Sequence, residues 1–314
     1  MDLITHFLVP YIILFFANSE NKLEGAFGGI SIDFDTFIVF IGVIFPQLFI
    51  VTHRGITHSF IFGFISALIF LYILTRTKVQ KLIGIVIRRN LDLKFTKKTI
   101  LLAYFGVLIH LILDFLTTGG IPLLYPFSIT RYSAEIYSYI DPFTTVAALI
   151  VLATIYFRID IRYKKAAMII FIVMLISIGG IRLYEKNNAY NTLKTDLNEN
   201  FSEISTYPTS DMFLWKVVVT NPKKREYRLY EYYGLKGTNK FLGEYRSLSV
   251  KNGSYESALT AVKDADKLFK VQEFRWHAFY TCINAHYQNN KWKLTYSDFI
   301  GSYSTRENLT VYID

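Results

Sequence analysis

The sequence predicts an all-α polytopic membrane domain of about five to six helices, one of them re-entrant, followed by a soluble, sheet-rich α+β domain. Three observations carry that expectation. Charged residues are only 19% of the 314 and apolar residues 52%, where soluble domains sit near a quarter charged. Long apolar runs fill the first 184 residues, whereas apolar and polar residues alternate further on. The upstream lysines and arginines gather in two loops. The composition argues against an ordinary cytosolic enzyme, and 27 Phe and 23 Tyr exclude a disordered chain. One cysteine, Cys282, excludes an intramolecular disulfide framework and any multi-cysteine metal site.

The apolar runs cover residues 3–17, 36–52, 56–75, 99–116, 143–157 and 166–184. A bilayer core asks about 17–25 apolar residues of a helix, which the third, fourth and sixth meet directly. The first run lacks a basic leader, Asp2 being the only early charge, and is read as a retained helix and not a signal peptide. Asp141 before Pro142 starts the fifth as a cap followed by proline at the first helical position. Downstream, Trp215-Lys216-Val217-Val218-Val219 and residues 225–233 alternate as strands do. Residues 255–269 read as one helix, and 274–284 with 291–299 as a hairpin turning at Gln288-Asn289-Asn290. The expected division is a helical membrane domain at 1–184, a linker at 185–200 and an extracytoplasmic sheet-rich domain at 201–314.

Charge sets the expected orientation. Of 16 Lys/Arg before residue 185, eight lie in 76–98 and four in 158–165. Short basic loops stay in the cytoplasm, so segment 117–141 and everything after residue 184 are expected outside. The formal charge of +9 is thus mainly a topology signal. The C-terminal part carries 18 basic and 15 acidic residues, too mixed to track a nucleic-acid backbone. Sequons at Asn200, Asn252 and Asn308 fit an outside placement.

Chemistry-bearing residues interrupt the membrane half. His53-Arg54-Gly55-Ile56-Thr57-His58-Ser59 opens the third run, His110 and Asp114 lie in the fourth, Asp33 and Asp35 precede the second, and His6 sits in the first. His110 and Asp114 share one helix face at i, i+4 and can reach one ion. Ionisable groups in a bilayer are costly and mark functional pathways. Each also has a plainer reading: a hydrogen-bonded His110–Asp114 pair, Thr57 or Ser59 as a helix cap, Arg54 snorkelling, Asp33 and Asp35 as turn residues. The case for a site is collective, with four of six histidines in the membrane half beside carboxylates. Imidazoles and carboxylates without thiolates suit Zn²⁺ first, ahead of Mn²⁺ or Fe²⁺. No partner is placed for His277 or His286.

Read in order, His6, then Asp33-Phe34-Asp35, then His53–Ser59, then His110-Leu111-Ile112-Leu113-Asp114 with Thr117-Thr118-Gly119-Gly120, then Leu123-Leu124-Tyr125-Pro126-Phe127, the chain resembles the YdjM-like family of membrane-bound metal-dependent hydrolases. The resemblance covers roughly residues 1–145 and extends loosely to Trp215–Val219. Two departures stand out: Ile32 replaces a family proline, and Thr36 a common histidine.

The resemblance implies Asp33, Asp35, His53, His58, His110 and Asp114 as metal ligands, with His6 as an additional one. It implies Asp35 as general base, Arg54 holding a substrate anion or a carboxylate ligand, and Thr57, Ser59, Thr117 and Thr118 as their hydrogen-bonding support. Membrane lipids and a small or lipid-linked substrate, a phosphoester foremost, are the expected partners, with no nucleic acid. A non-catalytic membrane anchor whose outer domain binds a partner or envelope polymer is the second expectation, and a His/Asp relay in a transporter the third. One geometric condition follows. A single helix over 36–52 would hold Asp35 and His53 about 27 Å apart. The run is therefore expected to break at Pro46 into a re-entrant pair, with 24–31 in a short glycine-containing helix that delivers Asp33 to the outer side.

Overall fold

The computed structural model describes residues 1–38, 44–196, 203–301 and 308–314. Contacts divide the chain into two compact units, one holding most of residues 1–180 and the other Ile181–Asp314 with residues 44–49.

The first unit is helical. α1 (Leu3–Phe16) starts at Asp2, whose carboxylate accepts from the Ile4 and Thr5 N–H groups. α2 (Lys22–Ile30) leads into a 3-10 segment, Ser31–Ile38, and further 3-10 turns occupy Pro46–Val51 and Ile56–His58. α3 (Phe60–Leu74) is capped by Ser59, and α4 (Thr77–Ile87) leaves it at an 80° bend. α5 (Lys97–Phe115) begins with a Thr96–Thr99 capping box. α6 (Pro142–Tyr156) begins at Asp141, which accepts from Thr144 N–H at 3.0 Å, as its sequence predicts.

α7 (Ile161–Asp196) runs from the first unit into the second. It therefore includes residues 185–196 of the expected linker. Ala189 and Leu193, four apart, bury against Trp215, Val217, Val219 and Tyr232 of the second unit, which keeps this stretch helical.

The helix count also needs correcting. Nine α-helices are present among the described residues, seven of them in the N-terminal region, not five to six. Among the described residues, α5 and α7 alone are long and apolar enough to cross a membrane singly, and the bent pair α3–α4 makes a third at most; α1 and α6 are shorter apolar helices. The physical reason lies in the polar interruptions. Short 3-10 turns carrying Asp33, Asp35 and His58, with His53 in the bend between two of them, interrupt the apolar runs. Within run 36–52, a 3-10 turn begins at Pro46; residues 39–43 lie outside the described residues.

Close helix approach organises this unit. α2 packs chiefly on α5. A Cβ at Gly28 would collide with the Ala103 backbone, and one at Gly106 with the Gly25 carbonyl. Small residues on both helices let the backbones meet, as they do in membrane helix pairs. That crossing sets the Gly29 carbonyl beside α5.

The second unit holds two four-stranded sheets among its described residues. β1 (Glu203–Pro208), β2 (Leu214–Asn221), β3 (Glu226–Tyr233) and β4 (Thr238–Arg246) form an antiparallel meander. β5 (Leu248–Lys251) runs parallel to β6 (Cys282–Gln288), which pairs antiparallel with β7 (Lys291–Ser297), and β7 with β8 (Asn308–Ile313). The crossover from β5 to β6 is made by α8 (Tyr255–Ala265) and α9 (Phe269–His277). So 255–269 is not one helix, and 274–277 is helical where a strand was expected. Val271 and Phe274, three apart, bury against Leu294 and Tyr296, which favours the helical period over alternation. The β6–β7 hairpin turns at Asn289-Asn290, both at positive φ, which asparagine tolerates. The sequon at Asn200 lies outside the described residues.

Candidate metal centre

The His/Asp residues of the first unit converge. α5 supplies His110 and Asp114, the segment after α2 supplies Asp33 and Asp35, the turn before α3 supplies His53 and His58, and α1 supplies His6. His58 Nε2 lies 3.4 Å from Asp33 Oδ1 and 3.5 Å from Asp114 Oδ2. His110 Nε2 lies 3.4 Å from the same Asp33 oxygen and 3.3 Å from the same Asp114 oxygen. Each imidazole nitrogen thus lies within 3.5 Å of an oxygen of both carboxylates, and Asp33, His58 and His110 form one group able to hold an ion. Ligands on one ion with bonds of about 2.0–2.1 Å stand about 3.3–3.4 Å apart in a tetrahedral set. The two Asp33–imidazole spacings of 3.4 Å fit that requirement for the Asp33, His58 and His110 group.

The donor atoms are also unused otherwise. His58 Nε2, His110 Nε2 and Asp114 Oδ2 are buried and make no hydrogen bond among the described residues. Buried polar atoms are ordinarily satisfied, so three at one point fit an ion. Their remote atoms, in contrast, are engaged. His110 Nδ1 donates to the Gly29 carbonyl at 2.5 Å, which leaves its Nε2 with a lone pair toward the two carboxylates. His58 Nδ1 faces Asp35 Oδ2 at 3.3 Å and Thr57 Oγ1 at 3.1 Å. Thr57 donates to Asp35 at 2.5 Å. Carboxylates and carbonyls behind metal-binding histidines orient such rings in just this way.

Asp35 and His53, placed apart by a continuous helix, touch: His53 Nδ1 is 2.8 Å from Asp35 Oδ1 and 3.9 Å from Asp33 Oδ1. Asp35, His53 and His58 form a second group able to hold an ion, through the Nδ1 side of His58. His6 forms a third with His110 and Asp114, its Nε2 3.2 Å from Asp114 Oδ1 and its ring stacked on His110 at 3.5 Å. The expected ligands are therefore brought together as three overlapping groups and not as one shell.

Arg54 takes the carboxylate-holding alternative. Its Nη2 donates to Asp114 Oδ1 at 2.9 Å and its Nη1 to Thr117 Oγ1 at 2.7 Å. The Met1 amine meets the same Asp114 oxygen at 2.7 Å. Thr117 donates in turn to the Asp114 carbonyl at 2.9 Å. Ser59 is occupied as the α3 cap and donates to the Ile56 carbonyl, while the Thr118 N–H pairs with the Tyr137 carbonyl. Sequence reasoning missed two contributors: the Gly29 carbonyl, a backbone group, and Tyr139, whose ring lies 4.2 Å under the Arg54 guanidinium. The glycines of α2 were the available signal for the first.

Electrostatics follow the burial. Asp35 and His58 lie in the 3-10 turns ahead of the spanning helices. Burial alone would raise the Asp35 carboxyl, yet the His58 and His53 imidazoles hold it below its usual range. Burial would lower His58, yet Asp35 and Asp33 pull it up to about 9. The carboxylates demand a positive partner there, and a proton or a metal ion meets the same demand. The cluster opens at one edge: the side chains of His53 and Asp33 keep 19% and 13% of their exposure, whereas His58, His110 and Asp114 keep at most 1%.

The fold and site define a class: a helical membrane protein with buried His/Asp groups that can hold a metal ion. The family described as YdjM inner membrane protein matches residues 1–189, more than half the chain, and the protein belongs to it. Neither curated proteins nor solved structures give a match.

Proposed function

We propose that this protein is a multi-pass, membrane-bound, metal-dependent hydrolase acting at the outer membrane interface on a phosphoester of a lipid-linked or other membrane-borne substrate. One observation carries the reading: three unused buried donors, His58 Nε2, His110 Nε2 and Asp114 Oδ2, with Asp33 Oδ1 at ligand spacing from both imidazoles. Two imidazoles and two carboxylates suit Zn²⁺, ahead of Mn²⁺ or Fe²⁺. A bound divalent ion supplies Lewis-acid activation at this point.

The chain's own residues do the rest. Asp35 and Thr57 fix the His58 ring, the Gly29 carbonyl fixes His110, and Arg54 fixes Asp114. Asp35 thus works as a positioning group, and the general-base role expected for it is not needed to explain its place. His53 stands at the open edge, held through Nδ1 by Asp35, where water and substrate enter. Arg54 is committed to Asp114, and Arg131, within its electrostatic reach, is the further positive group that suits an anionic substrate. The site occupies the α3 N-terminal and α5 C-terminal ends, opposite the ends that adjoin the basic 76–98 segment. With that segment cytoplasmic, the centre faces outward and α7 carries the sheet-rich unit outside.

The test uses full-length protein in phospholipid vesicles, stripped by chelator and reloaded with Zn²⁺, against bis(4-nitrophenyl) phosphate and 4-nitrophenyl acetate. Zn²⁺-restored phosphodiester cleavage, lost in Asp33→Ala, is expected. Cleavage of the acetate alone overturns the substrate class. Metal retained with neither ester cleaved overturns the hydrolase reading.

A further inference from the structure

The segment linking α3 to α5 is not a plain loop. α4 (Thr77–Ile87) turns 80° away from α3, so with α3 along the membrane normal α4 lies close to the membrane plane. It has no buried residue, and Leu82, Ile85 and Val86 are 64%, 75% and 75% exposed. At 100° per residue these three fall within one arc of the helix, with Lys81 at its edge beside Ile85 and Lys78, at the start of the helix, inside the arc one turn before Leu82. An exposed apolar face with basic residues beside it and at the helix start suits a helix that lies in the headgroup region, where long lysine side chains reach the phosphates.

The helix is held in this pose. Gln80 bonds the Thr75 and Leu93 carbonyls at 3.1 Å each and accepts from Leu93 N–H at 3.0 Å. The Tyr156 hydroxyl donates to the Ile87 carbonyl at 3.2 Å, and Arg89 reaches the Tyr156 carbonyl. At the C-terminal end of α4, Arg88 adopts a left-handed backbone (φ 51°) that turns the chain back. A cleft of about 660 Å³ opens there, lined by Lys81, Arg88, Arg89, Gln80 and Asn90. Residues 76–98 hold eight Lys/Arg against one acidic residue, Asp92.

We propose that α4 and this cleft form a binding site for anionic phospholipid: the phosphate headgroup sits among Lys81, Arg88 and Arg89, and the acyl chains lie along Leu82, Ile85 and Val86. Charge complementarity selects the lipid, since each Lys or Arg near an anionic leaflet adds to attraction that a zwitterionic surface lacks. The exposed apolar arc distinguishes a lipid from a soluble anion, which would leave Leu82, Ile85 and Val86 in water. This site is separate from the His/Asp centre, and its failure leaves the hydrolase reading untouched.

The experiment places a bimane fluorophore at Val86→Cys in full-length protein carrying Cys282→Ala, reconstituted in phosphatidylcholine vesicles with or without phosphatidylglycerol. Quenching is read with lipids spin-labelled at shallow or deep acyl positions. Stronger quenching from the shallow label, increased by phosphatidylglycerol and reduced by salt, is expected. Lys81→Gln and Arg88→Asn, the latter suited to the left-handed position, should each lower the phosphatidylglycerol preference roughly fivefold. Both residues are exposed, and metal content serves as a folding control. Deeper quenching dominating would make α4 part of a span. Equal quenching in both vesicles, or a fluorophore reached only by aqueous quencher, would likewise overturn the site.

Discussion

In the first unit four histidines and three aspartates lie against one another, and five of their buried atoms make no hydrogen bond among the described residues. In the second unit the histidines sit singly: His277 Nδ1 against the Glu273 carbonyl and His286 Nε2 against the Asn252 amide, each at 3.0 Å. Its one thiol, Cys282, is pushed up to about 12 by burial and by Asp298, which leaves it inert as a nucleophile or ligand. Both units bury polar groups, but only the first leaves lone pairs pointing at a common place. Convergence of unused donors, not burial itself, separates a candidate centre from a satisfied interior.

The comparison breaks most sharply by emptying the sheet core. Trp215 is wholly buried, and Trp215→Ala should cost about 3–5 kcal/mol in unfolding of the second unit. Metal content, read by elemental analysis of the same sample, should not change. Gly106→Ala attacks the other unit through packing. Its Cβ would enter the Gly25 backbone, so about 1–3 kcal/mol of stability should go, together with metal affinity as Gly29 leaves His110. Stability lost with affinity intact would show that the α2–α5 crossing does not set the site.

Asp35→Asn keeps the shape and removes the charge behind His58 and His53. Zn²⁺ affinity by chelator competition should fall about 10–100-fold, the range for groups that orient ligands. A complete loss would instead make Asp35 a ligand. A smaller effect is set by pH. His58 is raised from 6.5 to about 9, so its contribution to metal-free stability is full below about pH 6.5 and is lost as pH rises through about 9. Metal binding needs that proton gone and should strengthen over the same window. Thermal melts of stripped and loaded protein across it should diverge as pH rises. His286→Asn, at the small end, should change neither metal content nor its pH dependence.

Much of this was legible in the residues. The His-Arg-Gly-x-Thr-His-Ser and His-x-x-x-Asp spacings named the groups that meet, and Asp141 and Ser59 capped the helices they precede. The demand that Asp35 meet His53 foretold that 36–52 is not one continuous helix. Other features depend on long-range contact. Hydropathy found the three runs that are long enough to span but does not register a bend or a short helix, so it undercounted the helices. Residues 185–196 are polar on average and read as a linker, yet Ala189 and Leu193 find a sheet to cover. The division of labour between Asp33 and Asp35, two residues apart, depends on which face of a turn each occupies.

The most direct measurement is X-ray absorption at the Zn K-edge on purified, Zn²⁺-loaded full-length protein, with His110→Ala beside it. The expected spectrum has nitrogen and oxygen neighbours at about 2.0–2.1 Å with the outer-shell signature of two imidazoles, reduced to one in the variant. Protein that retains no stoichiometric metal, or a spectrum without imidazole, would contradict the centre.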